Sequence, residues 1–181
     1  MQTKNIALFG ATGLIGSLSL QILEKSPDIG KIYVYTRRTL PFATGPKTEI
    51  IITDLTNIDS LTHAITSSPE LDVALCAIGT TIKKAKNKHE FYKIDHDLVL
   101  NIARVSKQKG IENFGYISSL GANEKSPIYY LQVKGETEND LEKIEFKNLF
   151  ILRPSLLIGK RNEKRLAEEM MAKIVPLFNV F

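Results

Sequence analysis

Tyr130 and Lys134 stand four residues apart in "SPIYYLQVKGETE", a spacing that stacks two side chains on one side of a helix about one turn apart. A phenol ordinarily keeps its proton until pH ~10, too high for ready proton transfer at neutral pH. An ammonium group one turn away favours the phenolate and brings acid/base work within reach. Tyr129 is the neighbouring candidate, but it points about 100° away around the helix and has no lysine four residues on. A Tyr-x-x-x-Lys helix is by itself common surface decoration. Its weight comes from upstream, where "FGYISSLGA" ends a strand-like run in Ser118 and Ser119. A serine hydroxyl at a strand's carboxyl end can donate a hydrogen bond to a substrate carbonyl and polarise it.

A second chemical feature opens the chain. "ALFGATGLIGSLSLQIL" carries Gly10, Gly13 and Gly16 in a GxxGxxG spacing between a strand and a helix. Such a turn lets backbone approach a pyrophosphate and aims the free N–H groups of the helix start at its charge; a tight turn with nothing bound is the plain alternative. The next strand ends in "VYTRR". Thr36 stands where an acidic residue would take the ribose 2′-hydroxyl, and Arg37 and Arg38 can clamp a 2′-phosphate, so NADP(H) is expected over NAD(H). Two solvated arginines are the alternative. Asp54 and Leu55 close "IITDL", where a strand edge can meet the adenine, and Ile78, Gly79 and Thr80 follow the fourth strand in "CAIGTT". Close cofactor approach explains that glycine, as would an ordinary turn. Lys134 can also hold the ribose hydroxyls of a nicotinamide nucleotide.

The elements that must position these groups are legible as alternation. "NIALFG", "KIYVYT", "EIIITD", "DVALCAIG", "NFGYISS" and "NLFILRP" read as strands, and the segments between them as helices. In "HEFYKIDHDLVLNIARVSKQKG" the residues Phe91, Ile94, Leu98, Ile102 and Val105 step by three or four onto one helical face, and Gly110 supplies the stop. Regular strand–helix alternation with continuous apolar strands predicts an α/β fold: a doubly wound parallel sheet with helices on both faces. The 181 residues suit one domain. The tail "LAEEMMAKIVPLFNVF" stops on an apolar run, so either it packs as a last element or the natural chain continues.

Composition narrows the class. With 43% hydrophobic and 24% charged residues the chain is ordinary for a soluble globular protein, and the absence of a leader or membrane-length run predicts a cytoplasmic one. Cys76 is the single cysteine, in the apolar run "VALCAIG", which suits a buried small hydrophobe. The formal charge of +4 favours anionic ligands. "TTIKKAKNKHEF", with Lys83, Lys84, Lys86 and Lys88, and "GKRNEKR" read as loops at carboxyl ends of strands; they can draw an acidic substrate, cover cofactor phosphates as a lid, or simply be solvated. They lack the interleaved aromatics of a nucleic-acid surface. His63, His89 and His96 have no metal-like spacing and read as surface or helix-face residues, with Asp95 and Asp97 as solvent-facing charge.

Taken in order, GATGLIG, the strand-end arginines, "GTT", "YISSLGA", "YYLQVKGE" and "ILRPSLLIG" resemble the short-chain dehydrogenase/reductase superfamily. Within it they are most similar to the atypical group of the Tat-interacting tumour-suppressor oxidoreductase and its bacterial relatives. The resemblance runs from Lys4 to about Arg165. It implies a Rossmann domain binding NADP(H), with Tyr130 as proton donor or acceptor, Lys134 tuning it and anchoring the ribose, and Ser119 orienting the carbonyl, with Ser118 as fallback. It also implies Thr12, Leu14, Ile15 and Gly16 on the pyrophosphate loop, Arg37 and Arg38 on the 2′-phosphate, Pro154 and Leu157 lining the nicotinamide, and Arg165 as a further phosphate-side contact. The expected activity is an NADPH-dependent reductase, or the reverse dehydrogenase, on a small carbonyl or alcohol. Two other functions compete: an NADP(H)-binding regulator that reports redox state without turnover, and a nucleotide-sugar epimerase, which would need a larger C-terminal region. A homo-oligomer or a protein partner is compatible with the apolar tail.

Overall fold

The computed structural model describes residues 3–155. Leu157, Arg165, "GKRNEKR" and the apolar tail lie outside the described residues.

Six strands, β1 (Lys4–Phe9), β2 (Ile29–Thr36), β3 (Thr48–Ile52), β4 (Val73–Cys76), β5 (Asn113–Ile117) and β6 (Asn148–Leu152), form one sheet in the order β3-β2-β1-β4-β5-β6. Every pairing is parallel. The expected α/β architecture is therefore present, and its cause shows in the strand interiors. Leu8, Ile32 and Val34 bury into a cluster with Leu20 of α1 (Leu14–Lys25) on one face. Their sequence neighbours Ala7, Phe9, Tyr33 and Tyr35 bury on the other, against α2 (Ile58–Thr66), α5 (Leu98–Gln108) and α6 (Tyr129–Glu142). Strands apolar at every position have to be covered on both sides.

Two expectations fail. No helix joins β2 to β3: residues 37–47 are irregular, because Pro41, Gly45 and Pro46 interrupt any helical period, and Leu40 and Phe42 pack against the α1-side cluster instead. The lysine-rich stretch after β4 is not a loop but two short helices, α3 (Ile82–Ala85) and α4 (Lys88–Tyr92). The Thr81 side chain accepts from the Lys84 N–H at 3.2 Å and Asn87 from the Glu90 N–H at 2.8 Å, so each turn starts on its own cap.

The long amphipathic helix is present but interrupted. Between α4 and α5 runs a π-helical turn, Lys93–Asp97, which puts one extra residue into the helical repeat. Phe91 consequently packs in a small cluster with Ala85 and Val133, whereas Leu98, Ile102 and Val105 face the main core. Within the turn, Asp95 and His96 are buried and Ile94 only half so. Gly110, at φ +90°, ends the segment as expected.

Candidate functional site

The order of strands places β1 beside β4, the point where connections change direction and where ligands bind in open α/β sheets. All the candidate groups follow carboxyl ends of strands at this rim: the glycine turn after β1, the arginines after β2, Asp54 and Leu55 after β3, Ile78–Thr80 after β4, the serines after β5 and Pro154 after β6.

The three glycines divide their labour. Gly10 has φ +86°, and a Cβ there would sit 2.6 Å from the backbone of Ala77, so the ends of β1 and β4 abut. A Cβ on Gly16 would lie 2.2 Å from the Gly10 carbonyl oxygen, which locks α1 against its strand. Gly13 is different: its N–H donates to Gly10 O at 3.0 Å, and an added Cβ would meet only that oxygen, at 3.4 Å. The outer glycines serve packing and the middle one leaves room outward. After it, α1 begins at Leu14 with no side-chain cap and no acid in its first turn, leaving the N–H groups of that turn for an anion. Thr12 is exposed and Leu14 and Ile15 half-buried at this opening. Gly16→Ala is therefore expected to lower the thermal midpoint by several degrees, whereas Gly13→Ala should leave it nearly unchanged and weaken nucleotide binding; equal melting of the two variants would contradict this division.

Arg37 and Arg38 are exposed. The turn that projects them is fixed by buried Thr36, whose Oγ1 donates to Arg38 O at 2.9 Å. Asp54 accepts from the Oγ1 and N–H of Thr56 at 2.7 and 2.9 Å, and these bonds, with a smaller pull from Arg37, hold its carboxyl below the usual carboxylate range. The side chain of Leu55 lies in the core. A ligand at this strand end would meet the backbone of this segment and not the Leu55 side chain.

Lys134 lies in α6 at 3% exposure. Its Nζ is 3.0 Å from Asp95 Oδ1 and donates to Tyr116 Oη at 3.0 Å. The second carboxylate oxygen, Asp95 Oδ2, accepts from the Thr80 N–H at 2.7 Å. A Cβ on Gly79 would be 3.2 Å from Asp95 Oδ1 and 3.6 Å from Lys134 Nζ, so the glycine gives this ion pair its space beside the end of β4. Burial alone would lower the Lys134 ammonium, but Tyr116 and Asp95 override it and hold its pKa above the ordinary 10.5. Burial pushes the Tyr116 phenol up to about 12 and raises the Asp95 carboxyl against the pull of Lys134. Lys134 is thus a fixed buried cation at neutral pH. Tyr130 stands one turn before it, half-buried, its ring 5.9 Å from that of Phe91, and its phenol is among the groups acting on the lysine.

Asp95 and Tyr116 escaped the sequence reading, and Asp95 and His96 correct it. Asp95 is fully buried, not solvent-facing, and His96 is a buried ring stacked on Tyr92 at 4.3 Å, its two nitrogens 2.8 Å from Asp97 Oδ1 and 3.0 Å from Asp140 Oδ2. The π turn is the reason, since it rotates these two positions inward; Thr137 Oγ1 of α6 donates to the Asp95 carbonyl at 3.1 Å. The signal available in sequence was indirect: a buried lysine demands a carboxylate partner.

The serines differ in setting. Ser118 is buried, its N–H donating to Leu152 O at 2.8 Å, and its Oγ has no hydrogen-bond partner among the described residues. Ser119 is half-buried, with a long 3.4 Å bond to Leu120 O. Leu120 N–H donates to Pro154 O at 3.0 Å, which ties Pro154 to this loop. The loop then crosses α6 at Gly135, where a Cβ would be 2.3 Å from the backbone of Asn123 and Glu124. The glycine after Lys134 thereby docks the serine loop on the helix that carries Tyr130. Cys76 is buried as expected, and desolvation pushes its thiol up to about 12, which makes it an inert core residue.

Comparison with known proteins identifies the family and the fold. The sequence profile of the NAD dependent epimerase/dehydratase family matches residues 6–178. The mitochondrial protein FMP52 of Saccharomyces cerevisiae is 36% identical over 162 residues, covering 89% of this chain and 69% of its own. Among solved structures, a short chain dehydrogenase from Burkholderia cenocepacia in complex with NADP superposes with TM-score 0.69 at 14% identity, over 98% of this chain and 85% of that one. The Bordetella bronchiseptica enzyme WbmH in complex with NAD+ gives 0.75 at 15% identity, over 98% and 64%. The chain spans about half the length of solved UDP-glucose 4-epimerases of this fold. The relatives overturn one expectation: FMP52 proteins of several fungi are named mitochondrial, which contradicts a cytoplasmic assignment. The composition of an α/β domain does not encode its compartment. Among the described residues no helix is long and apolar enough to cross a membrane.

Proposed function

Because the chain belongs to the NAD dependent epimerase/dehydratase family, we propose that it is an NADP(H)-dependent oxidoreductase of the short-chain dehydrogenase/reductase type, interconverting a small carbonyl and its alcohol. The observation that carries this reading is the buried Lys134, held by Asp95 and Tyr116, one helical turn from Tyr130 and beside Gly79 at the end of β4. The residues present suit a dinucleotide: Gly13 is open where a pyrophosphate would approach, α1 starts uncapped, and no acid stands in its first turn.

In this proposal the N–H groups of Thr12–Ile15 hold the pyrophosphate, Arg37 and Arg38 the 2′-phosphate, and the backbone of Asp54 and Leu55 the adenine. Ile78–Thr80 and Pro154 flank the nicotinamide half, and Lys134 reaches the ribose. The dinucleotide, when bound, supplies or accepts the hydride. Tyr130 exchanges a proton with the substrate oxygen, one helical turn from the Lys134 ammonium. A serine hydroxyl steadies the same oxygen: Ser119 is the more exposed of the two, while Ser118 carries an Oγ with no partner among the described residues. The finer likeness to the Tat-interacting oxidoreductase group belongs to this proposal, and the mitochondrial relatives favour that compartment.

Calorimetry with NADPH and NADH tests the cofactor half. The wild type is expected to prefer NADPH, and joint Arg37→Ala and Arg38→Ala substitution to weaken NADPH at least tenfold, since bonds between charged groups contribute about 1.5–3 kcal/mol each, with little change for NADH. Equal affinity of the wild type for both nucleotides would refute the 2′-phosphate assignment.

A further inference from the structure

We propose that the substrate carries an anionic group, a carboxylate or a phosphate, held by the lysines of the α3–α4 segment; this rests on the site assignment above and adds the chemistry of the molecule it accepts. From Val73 to His89 the chain contains no Asp or Glu but four lysines, Lys83, Lys84, Lys86 and Lys88. The first acid after them, Glu90, is bonded to Lys93 at 3.0 Å. Lys83, Lys86 and Lys88 are exposed. The stretch carries no acid of its own beside these three cations.

The segment is also anchored beside the reacting groups. Phe91 of α4 is fully buried, with ring centroids 6.0 Å from Tyr129 and 5.9 Å from Tyr130. Tyr129 Oη donates to Lys88 O at 3.1 Å, and Lys88 Nζ stands 4.8 Å from the Tyr129 ring centroid. Lys86 takes a left-handed backbone, φ +72°, where α3 gives way to α4. At its other end the segment starts just after Gly79 and Thr80, which touch the Lys134–Asp95 pair. The basic rim is thus fixed at both ends to the elements that hold Tyr130 and Lys134.

Its place in the sheet separates it from the cofactor phosphates. The glycine turn follows β1 and the arginines follow β2, whereas α3 and α4 follow β4 and pack on α6, which follows β5. In strand order the lysine segment therefore lies across β1 from the strand that ends in Arg37 and Arg38. A cationic rim on a cleft mouth raises the local concentration of anions and loses that effect as salt screens it.

The test is binding of matched aldehydes to the full chain with and without NADPH, followed by calorimetry: butanal against succinic semialdehyde, and glyceraldehyde against glyceraldehyde 3-phosphate. At least one charged member is expected to bind tenfold or more tightly than its neutral partner, the pair identifying carboxylate or phosphate. The preference should shrink several-fold in 0.5 M salt. It should vanish in Lys83→Glu/Lys86→Glu and weaken in Lys83→Gln/Lys86→Gln, with NADPH affinity unchanged. Equal binding of charged and neutral members, or no binding of either, overturns the proposal, as does a loss of NADPH affinity in the lysine variants, which would assign them to the cofactor. Selective anion binding without turnover would uphold the anion site and refute the oxidoreductase reading, so the two failures are distinguishable.

Discussion

Tyr130→Phe is expected to reduce turnover of an accepted carbonyl by about 10²–10⁴-fold, the usual range for removing a general acid/base, while NADPH affinity stays within about twofold. The ring's neighbours are apolar: Tyr130 packs against the Phe91, Ala85 and Val133 cluster, so phenylalanine keeps the packing and loses only the hydroxyl. Tyr129→Phe is the matched control. It removes a hydrogen bond to Lys88 O, costing about 1 kcal/mol of stability, and spares the chemistry. Steady-state kinetics and a thermal melt on both variants decide the matter. Undiminished turnover in Tyr130→Phe, or equal losses in the two variants, would remove Tyr130 from the reaction.

The largest expected effect on stability is at Lys134. Lys134→Met should destabilise the protein by about 3–5 kcal/mol, because it leaves Asp95 as an uncompensated buried charge, in a residue with 0% exposure. The double variant Lys134→Met/Asp95→Asn should recover most of that loss, since a neutral amide can still accept from the Thr80 N–H. The pH dependence has a definite sign. In the wild type the raised pKa of Lys134 means that its stabilising contribution is complete below 10.5 and is lost only as pH rises through the folded value. In Lys134→Met burial, opposed only by the Thr80 N–H, raises the carboxyl from 3.8, so the variant loses stability as pH rises and its deficit shrinks towards acid. Urea denaturation at pH 4.5 and 7.5 measures both. A Lys134→Met protein as stable as the wild type at pH 7.5 would mean that the ion pair does not hold this core together.

What could be read in the sequence was whatever local rules fix. The strands announced themselves because apolar residues at every position require two covered faces, and the glycine turn because its spacing between strand and helix has a geometric purpose. Arg37, Arg38 and the serines followed from knowing which end of each strand faces a ligand. The missing helix between β2 and β3 was over-predicted from alternation, although Pro41 and Pro46 argued against it. Asp95 was misread for a deeper reason. Periodicity assumes a constant repeat, and the π turn at Lys93–Asp97 breaks that repeat without any residue type that signals it. Tyr116 was legible as a strand residue but not as the partner of Lys134, because that contact joins two elements 18 positions apart. The compartment was illegible altogether, and only the mitochondrial relatives corrected it.

The extra residue in that turn has a consequence for reading any relative of this chain. Deleting a single residue between Tyr92 and Leu98 would restore a regular helix and swing whatever stands at Asp95 about 100° around the axis, stranding the ammonium without touching one of its contacts by substitution. Part of the site is therefore written as a count and not as a side chain. An alignment scored on residue type alone would place a gap there at no penalty to the chemistry it displays and at full penalty to the chemistry it destroys.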